Sequence, residues 1–418
     1  MKIKDLKGKK VGLAVSGGLD SCTITHWLTK NDVRVTCLVA DLGQQDEKLE
    51  IVRERLLACG AAEVVIVASK EEMARAGLQV IQAQARYEGG YWNTTGIARH
   101  ITVQILLPKL KEKGIAIFSH GATGRGNDQV RFQLATNMLA PEIEIYAPWR
   151  DPTFLTSFGG RKEMIEYCKD HNLPIKASLE KPYSTDANLL GLTHEAGRLE
   201  LLTTAAWFVQ PEMGLLPKDA KDEEEIVTVS FSEGVPISIK VQGSRFKVQS
   251  SLVEIFQKAN EVAGRNGIGI GLSVVENRFV GIKSRGVYEA PGMELLGQCY
   301  EYLLQLILDR RAREFFDYIS RQIARQIYQG YWFDTATQMM RAALGPITRL
   351  VSGTIVVRLY KGQIIFDQAK DIPHSLYSAQ TASMEKQGEF SHQDSEGFLK
   401  VLSLNAKALA STGQIDLR

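Results

Sequence analysis

The stretch VGLAVSGGLDS, residues 11–21, constrains the fold more than any other part of the chain. A strand-length apolar run leads into two glycines and then into a helical pattern, which predicts a strand, a tight turn and a helix. Paired glycines let backbone N–H groups turn inward around an anion, and a helix N-terminus favours negative charge. The lysine of an ordinary phosphate-binding loop, GxxxxGK[ST], does not occur here. The turn is therefore better suited to hold pyrophosphate as a leaving group than to transfer a γ-phosphoryl group.

Short apolar runs alternate with helical patterns through roughly the first 180 residues. We predict five strands, in the runs VGLAVS, VRVTCLVA, EVVIVA, IAIFS and EIEIYAP. We predict helices between them over residues 22–30, 46–59, 71–85, 96–113 and 128–139. This alternation indicates an α/β fold, with a parallel sheet covered by helices on both faces. Ligands bind at the carboxyl ends of such strands, where both the opening motif and the loop HGATGRGNDQVRF lie.

The pattern changes after about residue 182. IVTVSF and GVPISIKV predict a hairpin, and GTIVVRLYKGQIIFDQ predicts a second one. Helical patterns cover residues 252–265 and 293–328, and FLKVLSLNAKAL predicts a terminal helix that ends near Gly413. We therefore predict a nucleotide-binding domain over 1–178, a second α+β domain over 179–394, and a C-terminal helix and tail over 395–418.

Composition excludes several classes of protein. The 50 basic and 48 acidic residues give a net charge of +2, which offers no electrostatic footprint for nucleic acid and no basic face for a membrane. The five cysteines include no C-x-x-C pair, which favours a reducing, cytoplasmic compartment. No apolar stretch approaches the roughly 18 residues of a membrane span. The seven histidines show no metal-ligand spacing, so we predict no protein-bound metal centre.

Five motifs carry a resemblance to one enzyme family. SGGLDS (16–21) resembles the PP-loop of the N-type ATP pyrophosphatases. Four longer segments resemble argininosuccinate synthase, in the same order along the chain: YEGGYWNTTGIARH (87–100), SHGATGRGNDQVRF (119–132), PYSTDANLLGLTHEAGRLE (182–200) and VVENRFVGIKSRGVYEAPG (274–292). The resemblance implies the condensation of citrulline and aspartate with ATP through a citrullyl-adenylate, giving argininosuccinate, AMP and pyrophosphate. It also implies a homotetramer, with the second domain and the terminal helix as the interface.

The resemblance implies which residues bind ATP and its Mg²⁺. The residues of the opening turn, one small residue after the second strand and one glycine of the later loop are the candidates: Ala14, Val15, Ser16, Gly17, Gly18, Leu19, Asp20, Ser21, Ala40 and Gly121. Ser16 and Ser21 supply hydroxyl donors. Asp20 carries the wrong sign to touch phosphate, so we expect it to cap the helix or to help hold Mg²⁺. Ala40 is explained equally well as a nucleotide contact and as an ordinary residue at the end of a strand.

The resemblance also implies the amino-acid sites. Positions matching Thr123, Asn127 and Asp128 bind aspartate, and those matching Asn127 and Arg131 bind citrulline. Arginine suits a carboxylate and aspartate suits an ammonium group. We expect Asp20, Asp128 and Arg131 to take part in catalysis. Gly96 stands where part of the family has a serine, and we expect Thr95 to replace that contact. The remaining candidates for citrulline are Tyr91, Ser184, Thr193, Glu195, Glu276 and Tyr288.

The sequence leaves alternative interpretations of several residues open. His194 is adjacent to two candidate ligands, and we interpret it as structural, while His120 has no clear role. Arg125 and Lys283 could contact phosphate, although surface charge explains them better. A related ureido acid could replace citrulline as the acceptor. The PP-loop alone also fits a tRNA thiolase, an amidotransferase or a nucleotide sensor without catalysis.

Overall fold

A computed structural model describes residues 1–44, 48–175, 183–243, 251–383 and 390–415, and the backbone of 247–248. The described chain forms two compact units, Met1–Pro373 and His374–Arg418. The three domains that we predict from sequence rest on changes in the sequence pattern, not on compactness. Their boundaries stay a prediction.

The first unit contains the predicted parallel sheet. All its strand pairs are parallel, in the order β3-β2-β1-β4-β5. The order reverses between β1 and β4, so a crevice opens at the carboxyl ends of these two strands. The five predicted strands are confirmed: β1 is Lys10–Ala14, β2 Arg34–Asp41, β3 Glu63–Ala68, β4 Ile117–His120 and β5 Glu144–Tyr146.

Helices cover both faces of this sheet, because alternate side chains of a strand point to opposite sides. Cys37 and Val39 of β2 lie in a core with Leu56 of the second helix, whereas Leu38 lies in another core with Leu106 of the fourth. The α/β prediction is confirmed. The helices are α1 Leu19–Lys30, α2 Leu49–Ala58, α3 Lys70–Gln82, α4 Thr94–Glu112, α5 Asp128–Leu139, α6 Pro152–Ser157 and α7 Arg161–Asp170.

Helix bounds differ from the predicted ones at several ends. Helix α1 begins at Leu19, three residues before the predicted start. Helix α2 begins at Leu49, and residues 46–47 of the predicted helix lie outside the described residues. The sequence pattern did not indicate α6, although Pro152 at its first position and the capping bond from Thr153 N–H to Asp151 explain its start.

Two antiparallel sheets follow in the chain. One has the order β11-β12-β7-β6 and the other β10-β9-β8-β13-β14. Both predicted hairpins are confirmed, as the pairs β8–β9 and β13–β14. The strands are β6 Ser184–Asn188, β7 Gly191–Glu195, β8 Glu225–Ser232, β9 Val235–Val241, β10 Lys247–Val248, β11 Ile270–Asn277, β12 Lys283–Glu289, β13 Gly353–Tyr360 and β14 Gln363–Lys370.

Five helices complete the described chain. The helical pattern over 293–328 is interrupted in the structure, because one helix ends at Ile307 and Asp309 is the N-cap of the next. Asp309 Oδ1 accepts hydrogen bonds from Arg311 N–H at 2.7 Å and Ala312 N–H at 3.0 Å, which satisfies amides that a helix N-terminus leaves unpaired. The helices are α8 Leu252–Arg265, α9 Pro291–Ile307, α10 Arg310–Gln329, α11 Thr335–Thr348 and α12 His392–Ser411.

The largest apolar core joins the early helices to the later part of the first unit. Ile97 of α4 is buried in the same cluster as Leu190, Phe256 of α8 and Leu296 of α9. Burial of this kind stabilises by about 25 cal/mol per Å² of apolar surface. The core therefore fixes α4 against the β6–β7 hairpin.

Candidate active site

The turn between β1 and α1 has the geometry of an anion cradle. Gly17 has a left-handed φ of +84°. A Cβ at Gly17 would lie 2.4 Å from Val52 Cγ1 of α2, so this position requires glycine for conformation and for space. The N–H groups of Ser16 and Gly17 both donate to Ser21 Oγ, at 3.1 and 3.2 Å. The two amides converge on one oxygen, as they would on an oxygen of a phosphate group.

Asp20 lies in the first turn of α1 but does not cap it. Gly18 is the N-cap, without a side-chain capping bond, so the capping role that we expect for Asp20 is wrong: the helix begins one residue before it. Asp20 Oδ1 accepts a hydrogen bond from Trp149 Nε1 at 3.1 Å. Burial raises the pKa of Asp20 above its usual value, and the bond from Trp149 opposes this rise.

The strand ends bring part of the predicted nucleotide set together. Ala14 pairs in register with both Leu38 and His120, and the loop after β4 follows directly. A Cβ at Gly121 would lie 3.7 Å from Asp20 Cβ, so this loop touches the first turn of α1. Ala40 lies one strand away, half-buried near the end of β2, and its carbonyl accepts a hydrogen bond from Gln44 at 3.0 Å.

The four-stranded antiparallel sheet presents a group of polar residues on one face. Asp186 pairs with Thr193, and Thr193 pairs with Tyr288 on the next strand. Side chains directly opposite each other, or two residues apart on one strand, share a face. By the same register Glu276 lies opposite Ser284, which has the same orientation as Tyr288. We call this set the site face: Ser184, Asp186, Thr193, Glu195, Glu276 and Tyr288.

His194 lies on the opposite face of this sheet. Its Nε2 is 2.5 Å from Glu289 Oε1, and both side chains are fully buried. The Glu289 carboxylate also accepts hydrogen bonds from the N–H groups of Glu212 and Met213. This buried arrangement confirms the structural interpretation of His194.

His120 is buried beside the ring of Phe132, with 4.8 Å between ring centroids. Its Nδ1 accepts a hydrogen bond from Ala122 N–H at 3.2 Å. Burial lowers the pKa of His120 to about 3, with a further contribution from Arg150. The imidazole is therefore neutral at physiological pH.

Five candidate citrulline ligands form one connected group. The rings of Tyr91 and Tyr288 stack with centroids 3.9 Å apart. Tyr91 Oη accepts a hydrogen bond from Thr95 N–H at 3.0 Å, and Thr95 Oγ1 lies 2.7 Å from Thr193 Oγ1. The hydroxyl of Tyr288 donates to the Glu276 carboxylate. Thr95 thus belongs to this group, whereas Gly96 supplies no side chain. The expected contact of Thr95 with citrulline stays a prediction.

Two arginines hold Asp128 at the start of α5. Arg99 Nε donates to Asp128 Oδ2 at 2.9 Å, and Arg131 Nη1 donates to Oδ1 at 2.7 Å. Arg99 also pairs with Asp186 of the site face. Burial alone would raise the pKa of Asp128, but the charges and hydrogen bonds of Arg99 and Arg131 lower it to about 2. Asp128 is therefore ionised throughout the physiological range, and Arg99 connects α5 to the site face.

Glu195 has the opposite electrostatic environment. Its side chain reaches solvent, yet surrounding protein atoms desolvate it, which is the situation of a group inside an open cleft. This desolvation raises the pKa of Glu195 to about 7; the charges of Asp128 and Asp186 add to the rise, and Arg278 opposes it. Among the described residues, none forms a hydrogen bond with its carboxylate. Glu195 therefore titrates near neutral pH.

The loop before α5 carries the remaining predicted ligands. Asn127 is the N-cap residue of α5, and its Oδ1 accepts a hydrogen bond from Phe279 N–H at 2.9 Å. Thr123 is exposed, and its carbonyl accepts a hydrogen bond from Gly126 N–H at 3.3 Å. Asn127 thus contacts the turn between β11 and β12, while the Thr123 side chain faces solvent.

Arg125 and Lys283 are both exposed. Lys283 Nζ donates to Asn277 Oδ1 at 2.7 Å. Their exposure favours the interpretation of both residues as surface charges.

The sequence pattern missed several members of the site. Arg99 and Asp186 lie within the quoted motifs but had no assigned role. Tyr328 of α10 was missed entirely: Arg131 Nε donates to its carbonyl at 3.0 Å, and its ring stacks on Tyr87 at 3.8 Å. One available signal was the position of Arg99, one helical turn after Thr95 and on the same face.

Among the described residues, no group of three or more His, Cys, Asp or Glu side chains could hold a metal ion. In the same part of the chain, no helix has the length and apolar character that crossing a membrane requires.

Comparison with known proteins gives matches over almost the whole chain. The family model "Arginosuccinate synthase N-terminal HUP domain" matches residues 10–174, and "Arginosuccinate synthase C-terminal domain" matches 183–409. The argininosuccinate synthase of Rhodopirellula baltica is 40% identical over 401 residues, which cover 96% of this chain and 97% of the relative. Those of Thermotoga maritima and Xenopus laevis are each 36% identical, over 96% and 95% of this chain and 97% and 96% of the relatives.

Proposed function

The chain belongs to the argininosuccinate synthase family, and from this membership we propose how its residues share the work of the reaction. The enzyme is an ATP-dependent ligase that joins citrulline and aspartate into argininosuccinate in arginine biosynthesis. AMP and pyrophosphate leave, and citrulline passes through an adenylate. Membership over the full length removes the support for a tRNA thiolase, an amidotransferase or a nucleotide sensor.

The turn between β1 and α1 holds the β- and γ-phosphates of ATP. The convergence of two backbone N–H groups on Ser21 Oγ supports this role. A phosphate oxygen would replace the Ser21 hydroxyl as their acceptor, and Ser21 could then donate instead of accept. The ureido oxygen of citrulline attacks the α-phosphorus in line, and pyrophosphate remains in the turn as the leaving group.

Asp20 fits a Mg²⁺ ion that accompanies ATP. Mg²⁺ takes one or two carboxylates together with phosphate oxygens and water, so a single aspartate beside the phosphate turn is a suitable donor set. Trp149 occupies one oxygen of Asp20. When bound, Mg²⁺ supplies charge stabilisation for the departing pyrophosphate. Asp20 itself holds its carboxylate at the nucleotide side of the crevice.

The site face binds citrulline. The observation that carries this proposal is the register of four strands, which puts six polar side chains on one surface beside Tyr91 and Thr95. Glu276 and Glu195 pair with the α-ammonium group. Hydroxyl groups of Ser184, Thr193 and the tyrosines orient the carboxylate and ureido groups.

The start of α5 binds aspartate. Asn127 supplies an amide, Thr123 a hydroxyl, Asp128 a charge for the ammonium group, and Arg131 a charge that attracts carboxylates. The low pKa of Asp128 supports this role, because only an ionised carboxylate attracts an ammonium group. The amine of aspartate then attacks the ureido carbon and AMP leaves. The chain needs no covalent nucleophile, since positioning and charge account for the reaction.

We propose that the enzyme is a cytoplasmic homotetramer. Helix α12 supports an oligomeric role, because Phe398, Leu399, Val401, Leu402 and Leu404 are all more than half exposed. Apolar side chains of this number on one helix favour burial against another surface. Light scattering on the purified chain measures the mass, and a monomer or dimer would contradict the tetramer.

Citrulline labelled with ¹⁸O on the ureido oxygen tests the chemistry. The proposed attack transfers the label to the phosphate of AMP, which mass spectrometry detects. Label that stays out of AMP, or formation of ADP and orthophosphate, would contradict it. A panel of ureido acids in the same assay identifies the acceptor, with citrulline expected to give the highest kcat/KM.

A further inference from the structure

The carbonyl oxygen of Gly17 is held by a side chain from another helix. Arg55 of α2 is 9% exposed, and its Nη1 donates to Gly17 O at 3.0 Å. We propose that Arg55 is a positioning residue that aims the Gly18 N–H group at the departing pyrophosphate. This inference rests on the proposed role of the turn as the pyrophosphate site.

The planarity of the peptide bond connects the two groups. The C=O of Gly17 and the N–H of Gly18 belong to one trans peptide unit, so they point in opposite directions. When Arg55 binds the carbonyl from the side of α2, the amide must point away from α2, towards the open side of the turn. Among the described residues, no acceptor receives a hydrogen bond from Gly18 N–H.

Helix α2 is packed tightly enough to hold this orientation. Val52 lies one turn before Arg55, on the same face of the helix, and closes the space behind Gly17. Val52 and Leu56 are both buried in the core beneath the sheet. A free glycine pair can adopt many backbone conformations, so two glycines need external contacts to keep one of them. Val52 restricts the space at Gly17, and Arg55 fixes the direction of its carbonyl.

The motif itself does not contain this positioning group. An ordinary phosphate-binding loop carries its positive side chain within the motif and presents it to phosphate. Here a basic residue from α2 binds the back of the loop through a carbonyl group, while backbone amides face the substrate. Preorganised N–H donors stabilise developing negative charge without reorganisation during the reaction. Arg55 would therefore assist catalysis without touching the substrate.

Steady-state kinetics of three variants of the full chain test the proposal. Arg55→Met removes the donor, Arg55→Lys keeps a positive donor on a shorter reach, and Arg53→Met is the matched control, an exposed arginine of the same helix. We expect Arg55→Met to lower kcat/KM for ATP by about 10- to 100-fold. The KM values for citrulline and aspartate should stay within about twofold, and Arg55→Lys should recover part of the loss.

Titration calorimetry with magnesium pyrophosphate gives a second, turnover-independent readout. Weaker pyrophosphate binding in Arg55→Met than in Arg53→Met would support the positioning role. Equal kinetics and equal binding in these two variants would overturn it. So would a loss that affects all three substrates alike, lowers the melting temperature and is not restored by lysine. If the wild-type enzyme itself does not bind pyrophosphate, the proposed role of the turn is wrong. The inference about Arg55 is then wrong as well, because it rests on that role.

Discussion

The β1–α1 turn and the site face, which we propose bind the substrates, differ in the parts of the chain that would contact them. In the turn, the backbone N–H groups of Ser16 and Gly17 are the proposed donors to phosphate, and the side chains near them mainly keep the backbone in place. On the site face, the backbone is an ordinary antiparallel sheet, and carboxylate and hydroxyl side chains are the groups that we propose bind citrulline. Substrate binding in the turn should therefore depend on backbone conformation, whereas binding at the site face should depend on side-chain charge.

This difference predicts which substitutions should reduce the function of each region. A backbone site should be sensitive to added atoms and insensitive to changes of charge nearby. A side-chain site should respond to single charges and to pH.

Gly17→Ala should have the largest effect. A left-handed φ costs an alanine about 1–2 kcal/mol, and the new Cβ would clash with Val52. We expect kcat/KM for ATP to fall on the order of 100- to 1,000-fold, since loss of aligned amide donors has this size of effect. Gly18→Ala is the matched control, because Gly18 has a negative φ and its Cβ would meet only Ser16 Oγ within 4 Å. Equal losses in the two variants would show that conformation at Gly17 is not the limiting factor.

Asp128→Ala should stop the aspartate step with little effect on ATP. The substitution removes the charge for the ammonium group and leaves Arg99 and Arg131 without their shared partner. We expect kcat to fall about 100-fold and KM for ATP to change by less than about twofold. Steady-state kinetics with each substrate varied in turn measure both. A collapse of ATP affinity would show that the assignment of α5 is wrong.

Arg99→Met should weaken both catalysis and stability. Asp128 and Asp186 would lose their common partner, at a cost of about 1–3 kcal/mol after allowance for their partial exposure. Arg99→Lys is the control that keeps one positive charge. Urea unfolding at neutral pH measures the difference, and equal stability of Arg99→Met and wild type would contradict it.

The stability effect of Arg99 should also depend on pH. The pKa of Asp128 is about 2 when folded, below its ordinary value near 4, so the stabilisation is complete above pH 4. It is lost as the pH falls from about 4 towards 2. The unfolding free energies of wild type and Arg99→Met should therefore converge over that range. A constant difference would mean that Arg99 stabilises by packing instead of charge.

Glu195 should give the smallest and most specific effect. Its pKa of about 7 means that it ionises as the pH rises from 6 to 8, and only the ionised form pairs with the α-ammonium of citrulline. KM for citrulline should fall roughly tenfold over this range, following the ionised fraction. Glu195→Gln should abolish this pH dependence, while KM for ATP serves as the internal control. A dependence that survives in Glu195→Gln would assign it to another group.

The sequence predicted the local features of both regions. The β1–α1 turn is contiguous, so its glycines and its place between a strand and a helix were sufficient. Asn127, Asp128 and Arg131 lie within one helical turn, so the residues that the family resemblance indicated are close together through local structure alone. The hairpins had clear alternation and turn residues.

Contacts between distant residues could not be predicted in this way. The pair of Arg99 and Asp186 joins positions 87 residues apart, and a single sequence contains no register between α4 and β6. The break before Asp309 was missed because the apolar pattern continues across it, while the capping bonds that make it appear only in the fold. The opposite pKa shifts of Asp128 and Glu195 depend on the same three-dimensional surroundings.

Pyrophosphate exchange is the most direct test of the separate roles of the two regions in the reaction. Wild type, Gly17→Ala and Asp128→Ala are each incubated with ATP, citrulline and labelled pyrophosphate, without aspartate. The division proposed here predicts label in ATP for wild type and Asp128→Ala, and little or none for Gly17→Ala. Exchange that persists in Gly17→Ala but disappears in Asp128→Ala, or that is missing in wild type, would contradict it.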